Sequence, residues 1–288
     1  MKIITESLLS FSRSAVVRVA AIAFAAVVPP AIAQSEKLPA PFVPGRIANV
    51  TCAADSTQSY ALYLPAAYAQ SKRWPIIYFF DPGGRGAVPV ELYKDLAEEY
   101  GFIAAGSNNS RNFSSDQLAS VNAIWQDTHV RFALDEHRIY VSGFSGGARV
   151  AGAMALNCAQ CQIAGVVAHG AGYPNGEPNT KDHLLYYFAV GDRDFNWPEV
   201  MTVRREREDQ GLPYRVRVYS GAHQWAPPEV MDDAVQWFLL RAMQAGTLPP
   251  DEGLIAQGWQ ALQARAEDSE KRGDALAQFA AYRSLVSD

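Results

Sequence analysis

Short apolar runs and amphipathic stretches alternate along most of the chain. Pro75–Phe80 reads PIIYFF, unbroken and too short for a buried helix, which predicts a strand covered on both faces. Phe102–Ala105, Arg138–Ser142, Ile163–Ala168, Leu184–Val190 and Tyr214–Tyr219 predict further strands. Upstream, Arg46–Cys52 and Tyr60–Leu64 also read as strands, the second with Tyr60, Leu62 and Leu64 alternating. Helical spacing marks Pro89–Tyr100, which carries Leu92 and Leu96, starts with a proline and stops at Gly101. Ser115–Phe132 predicts a longer helix, another begins near Gly146, and Glu199–Gln210 is charged enough for the surface. Glu229–Gln244 sets Val230, Ala234 and Phe238 on one helical face. After the first two strands, strand and helix alternate, the pattern of an α/β domain with a mostly parallel sheet between helices. Ligands of such sheets sit beyond the carboxyl ends of the strands, so the chemistry is sought just after each strand.

The two ends depart from this pattern. Residues 1–33 carry Lys2, Arg13 and Arg18, then the uncharged run Val19–Val28, then Pro29-Pro30 and Ala31-Ile32-Ala33. That order predicts a secretory signal cut before Gln34. The apolar run is about half of the roughly 20 residues that span a bilayer, so a membrane anchor is the weaker reading. The expectation is a periplasmic or secreted protein with no membrane attachment after cleavage. Residues 34–44 are proline-rich and predict a loose leader into a catalytic domain ending at 246. After Leu248-Pro249-Pro250, residues 247–288 predict a helical extension: two amphipathic helices broken near Gly273, resembling one tetratricopeptide-type unit. One such unit cannot bury its own apolar face. It either packs on the preceding domain or makes contact with a partner protein.

Composition narrows the classes. Half of the 288 residues are hydrophobic, which excludes a disordered chain, and 25 Lys and Arg against 30 Asp and Glu give a net charge of −5. A mildly acidic chain without a basic cluster is a poor binder of nucleic acid. Export would expose Cys52, Cys158 and Cys161 to oxidising conditions. Cys158-x-x-Cys161 follows an apolar helical run, at its negative end, where a redox pair would not have its thiol pKa lowered. A structural bridge is expected instead, with Cys52 to one of the other two as the favoured pairing.

Gly143-Phe144-Ser145-Gly146-Gly147 lies between a predicted strand and a predicted helix, as the G-x-S-x-G nucleophile elbow requires. Ser145 is the candidate nucleophile, and the Gly146 amide a candidate oxyanion donor. A serine needs a base, and the base an orienting acid. Of five histidines, His129, His137 and His183 precede strands. His169 follows a strand but comes before any candidate acid, and reads as a pocket wall or packed side chain. His223 follows the last strand in Ser220-Gly221-Ala222-His223-Gln224-Trp225 and is the candidate base. The acid comes from Gly191-Asp192-Arg193-Asp194, where Asp194 is favoured as farther beyond the strand and Asp192 reads as a turn or salt-bridge residue. The second oxyanion donor is expected in Asp81-Pro82-Gly83-Gly84-Arg85-Gly86, from Gly83 or Gly84. Trp197 and Trp225 adjoin the acid and base loops and are candidates to line a substrate pocket. No P-loop, dinucleotide fingerprint or paired-histidine zinc spacing is present, and the chemistry requires no metal or organic cofactor.

The segment Asp135-x-x-Arg138-Ile139-Tyr140-Val141-Ser142-Gly143-Phe144-Ser145-Gly146-Gly147-Ala148 resembles the elbow region of secreted α/β-hydrolases. The polyhydroxybutyrate depolymerase and feruloyl esterase-like branch is the most similar. Asp194-Phe195-Asn196 and Gly221-x-His223-x-Trp225 are similar to that branch's acid and base segments. Over Tyr60 to Met243 the resemblance implies an α/β-hydrolase fold and hydrolysis of carboxylic esters, small or polymeric, by Ser145, Asp194 and His223. The oxyanion loop departs from it, reading DPGGRG where the family has HGGG. Only His169–Asp182 leaves length for a lid, so an open cleft is expected. A serine peptidase on the same fold, or a non-catalytic binding protein, are the competing functions.

Overall fold

The computed structural model describes residues 42–158, 161–174 and 184–271, with single positions 273, 278 and 282. The expected signal segment, residues 175–183 with His183, and most of the expected second tail helix lie outside the described residues. The described residues fall in one compact unit.

Eight strands form one sheet: β1 (Ile47–Thr51), β2 (Ser59–Tyr63), β3 (Trp74–Phe80), β4 (Ile103–Ser107), β5 (Leu134–Phe144), β6 (Ile163–His169), β7 (Leu185–Gly191) and β8 (Tyr214–Tyr219). Their order across the sheet is β1-β2-β4-β3-β5-β6-β7-β8. β2 is antiparallel to both neighbours, and every pairing from β4 to β8 is parallel. Six helices accompany it among the described residues: α1 (Ala87–Tyr100), α2 (Gln117–Arg131), α3 (Gly146–Asn157), α4 (Trp197–Asp209), α5 (Pro228–Gln244) and α6 (Glu252–Lys271).

The side-chain period of two divides this sheet between two cores. Ile76, Tyr78 and Phe80 of β3 face one core with α2, α3 and α4. Ile77 and Phe79 face the other with α1 and α5. That is why PIIYFF has no polar position: both faces are covered. Although Tyr60, Leu62 and Leu64 alternate, β2 is covered on both sides, with Ala61 and Tyr63 in the second core. β5 begins at Leu134, four residues before the predicted start. Asp135, Glu136 and His137 interrupt its apolar run where the register to β3 shifts, at the less covered amino end.

The expected pairing of Cys52 is corrected: Cys158 bonds Cys161, three residues away, and Cys52 is a buried free thiol. Cys52 follows the edge strand β1, beside Asp127 and Arg131 of α2, whereas Cys158 and Cys161 bridge the end of α3 to the start of β6. Burial, with Asp127 nearby, pushes the Cys52 thiol up to about 11. The first tail helix, α6, packs on α5: Leu262 and Ala266 are buried, and Arg265 joins Arg215 in pairing the buried Asp233. Those two guanidiniums and the Tyr187 hydroxyl hold the Asp233 carboxyl at about 2 against the opposing effect of burial.

Candidate active site

β5 ends at Phe144, α3 begins at Gly146, and Ser145 occupies the turn between them with φ 54° and ψ −120°. This backbone is strained for a residue with a side chain, at a typical cost of about 1–3 kcal/mol. The neighbouring glycines are set by contact. A Cβ at Gly143 would lie 2.2 Å from the Gly147 carbonyl oxygen, and one at Gly147 would lie 1.9 Å from that of Phe80. Only glycine at both positions lets the chain reverse this tightly against the end of β3. The Ser145 amide donates to the His169 carbonyl at 2.8 Å and ties the turn to β6. The Gly146 amide opens α3, at the end where helix N–H groups have no intrahelical acceptor.

The loops after β7 and β8 bring two further groups to Ser145. The Ser145 hydroxyl lies 2.9 Å from His223 Nε2, and His223 Nδ1 lies 2.9 Å from both Asp194 oxygens. The Asp194 carboxyl group is fully buried and the imidazole half-buried, so the contact between them is shielded from water. The rings of Phe144 and Phe195 lie 4.6 and 4.1 Å from the imidazole, centroid to centroid. Asn196 holds the loop after β7: its amide donates to Asp194 Oδ1 at 2.8 Å, and its side chain donates to the Gly170 carbonyl at 2.8 Å. Gly170 has φ +60°, and a Cβ there would lie 2.6 Å from Asp194 Oδ2. Asp192 does not reach His223. Its Oδ1 accepts from the Gly221 amide at 3.0 Å, fastening the loop after β7 to the loop after β8.

His169 is fully buried, with Nε2 3.1 Å from the Ser142 hydroxyl. Burial lowers its pKa to about 3, which keeps the ring neutral, and it packs on Trp225. His129 lies in α2 and His137 near the start of β5. Among the described residues, no group of three or more His, Cys, Asp or Glu could hold a metal ion.

Two expectations change. The Gly83 and Gly84 amides are already engaged: Gly83 donates to Asp81 Oδ1 at 2.8 Å, and Gly84 to the Asp81 carbonyl at 2.9 Å. Their loop turns towards β4, on the far side of β3 from Ser145. A Cβ at Gly84 would lie 2.7 Å from the Asn108 carbonyl oxygen, and one at Gly86 1.9 Å from that of Gly106. These glycines serve backbone packing, and neither amide is free to meet an oxyanion. Trp225 does not line a cleft either. Its ring is buried against Phe79, Tyr93, Phe144 and His169, and Nε1 donates to Asp81 Oδ2 at 2.9 Å. Trp197 is partly exposed, at the start of α4.

Asp81 carries no motif of its own. It is wholly buried at the end of β3 and accepts from Gly83, Arg85 and Trp225. Burial alone would raise its carboxyl. The hydrogen bonds from Arg85, Trp225 and Gly83, with the Arg85 charge, outweigh it and hold the group below the ordinary carboxylate value. Its place at the head of the glycine loop was visible in sequence, but its tryptophan partner, 144 positions away, was not.

No protein-family model and no curated protein matches this chain. Solved structures do, at low identity. The S-formylglutathione hydrolase of Staphylococcus aureus is 13% identical with a TM-score of 0.53, over 67% of this chain and 95% of that one. The fluorophosphonate-binding serine hydrolase F of Staphylococcus aureus is 13% identical with a TM-score of 0.54, over 68% and 98%. An esterase of Pyrobaculum calidifontis is 12% identical with a TM-score of 0.53, over 71% and 86%. A ferulic acid esterase is 15% identical with a TM-score of 0.51, over 66% and 93%. What the chain shares with them is the α/β-hydrolase fold.

Proposed function

We propose that this protein is a serine hydrolase of carboxylic esters that works through an acyl-enzyme. The observation that carries the reading is the 2.9 Å contact between Ser145 Oγ and His223 Nε2, with Asp194 behind the imidazole. In the first half-reaction the Ser145 oxygen attacks the ester carbonyl carbon and its proton passes to His223 Nε2. The carbonyl electron pair moves onto oxygen, which meets the Gly146 amide at the start of α3. The tetrahedral species collapses, the alcohol leaves with the proton from His223, and the acyl group stays on Ser145. Water then attacks the acyl carbon, again giving its proton to His223, and the acid leaves as Ser145 recovers its hydrogen. Asp194 holds the imidazole by Nδ1 and offsets the positive charge that it gains. Ester chemistry is favoured over other acyl transfers because the fold neighbours include esterases and a ferulic acid esterase.

The test is covalent. A fluorophosphonate probe labels the wild type once, at Ser145, and Ser145→Ala is unlabelled with chromogenic ester hydrolysis reduced by about 10⁴-fold or more. Equal labelling of both proteins removes Ser145 from the reaction.

The same reading places the enzyme outside the cytoplasm, on the strength of the charged, apolar and Ala31-Ile32-Ala33 order of residues 1–33. The purified mature protein then begins at Gln34. A mature chain that retains Met1 or Lys2 contradicts export by cleavage.

A further inference from the structure

We propose that Asn112 supplies the second oxyanion donor, through its side-chain Nδ2, in place of the glycine loop. The inference rests on Ser145 as the nucleophile. One donor, the Gly146 amide, leaves a tetrahedral oxyanion with half of the usual pair. The loop after β3 does not provide the other. Pro82 has no N–H, and the amides of Gly83 and Gly84 both donate to Asp81. That loop is also drawn towards β4 by the contacts of Gly84 and Gly86 with Asn108 and Gly106.

The loop after β4 takes its place. The Asn112 amide donates to the Pro82 carbonyl at 2.8 Å, which holds this loop across the emptied position. Its side chain then lies directly on the elbow. A Cβ at Gly146 would sit 1.9 Å from Asn112 Oδ1 and 2.8 Å from Nδ2. Gly146 is therefore a glycine because a carboxamide occupies the space beside it, one residue from the nucleophile. Among the described residues that carboxamide has no hydrogen-bond partner, and Asn112 is only half-buried, open to a ligand. A half-turn of the amide exchanges its oxygen and nitrogen without moving the loop. The next residue, Phe113, has φ +61° with its ring fully exposed, so the backbone keeps a costly conformation that no packing of that ring explains. In the reaction Nδ2–H donates to the oxyanion as charge builds and keeps its proton throughout. The role belongs to the transition state, because the ground-state carbonyl has little charge to meet it.

Asn112→Ala and Asn112→Asp, assayed with a chromogenic ester, separate this role from packing. Both variants should lose about 100- to 1000-fold in kcat with little change in KM and an unchanged melting temperature. Asn112→Asp keeps the shape of the side chain but brings a negative charge to the oxyanion, so it falls at least as far as Asn112→Ala. Affinity for phenylboronic acid, which forms a tetrahedral adduct on the serine, drops in parallel. In the wild type that adduct moves the Asn112 side-chain amide signal downfield in a ¹H–¹⁵N spectrum, a readout independent of how the variants fold. Asn112→Asp with wild-type kcat, Asn112→Ala within about threefold of it, or an unmoved amide signal overturns the proposal. In those cases a wild type that hydrolyses ester and takes the fluorophosphonate label leaves Ser145 standing as nucleophile. A wild type that does neither removes the nucleophile and this donor together.

Discussion

Trp225 is a buried ring with one polar atom, and that atom has one partner. Its Nε1 donates to Asp81 at 2.9 Å, and two residues earlier the same loop carries His223. The pair therefore connects the loop after β3 to the loop after β8. Trp225→Phe keeps most of the ring contacts and removes the donor to a wholly buried carboxylate. The expected cost is about 1–3 kcal/mol of stability, read as a lowered urea midpoint. A fall in kcat should accompany it, because His223 loses an anchor. A variant as stable and as active as the wild type shows that Arg85 and Gly83 alone suffice for Asp81. The two aspartates of the acid loop teach the same lesson. Asp192 and Asp194 are two positions apart and chemically identical, yet one accepts from a backbone amide at the surface and the other faces an imidazole from within. Distance beyond the strand end favoured the right partner for His223, but neighbouring residues do not say where a side chain points.

At the scale of elements, the apolar runs that became β3, β6 and β7 were legible because both faces of each strand are covered. The same rule misplaced the start of β5, where polar residues continue a strand past the edge of the core. The elbow was legible for a different reason. Its glycines are required by contacts within a few residues and with the adjacent strand end, so the constraint is written locally. The glycines after β3 look alike in sequence but answer to β4 instead. A glycine records that space is missing, without naming what fills it. The cysteines show the converse: Cys52 follows the edge strand, and the order of strands in the sheet, not the spacing of cysteines, kept it from the other two. For α6 the sequence left two outcomes, packing on the domain or docking elsewhere. Leu262, Ala266 and the pairing of Arg265 with Asp233 place it on α5.

Over the whole molecule, buried ionisable groups set how stability responds to acid. His169 has a native pKa of about 3, well under the unfolded value of about 6.5. Between those limits the unfolded chain binds a proton that the native protein refuses. Stability therefore falls as pH drops below about 6.5, by up to about 1.4 kcal/mol per pH unit. Asp233, held at about 2, acts in the same direction but in a lower window: its contribution is present above the unfolded value of about 3.9 and is lost as pH falls towards 2. A decline between pH 6.5 and about 5 thus belongs to His169, because the carboxyls held low in the native protein, Asp81, Glu199 and Asp233, contribute only below that. Urea midpoints of the wild type should fall steeply over that range, and those of His169→Gln much less. Parallel curves for the two proteins would assign the decline to other groups.

The chain alone carries the α/β alternation, the elbow around Ser145 and the place of His223 after the last strand, because periodicity and tight turns are local properties. It also carried the order of the three groups along the chain. Which aspartate meets the imidazole, how Trp225 supports the site from within, and that Asn112, and not Gly83 or Gly84, lies against Gly146 with a free donor emerge on folding alone. Those outcomes depend on loops separated by tens of residues and brought together at one edge of the sheet by the strand order. Hydrogen-bond partners across such distances leave no pattern in a single chain.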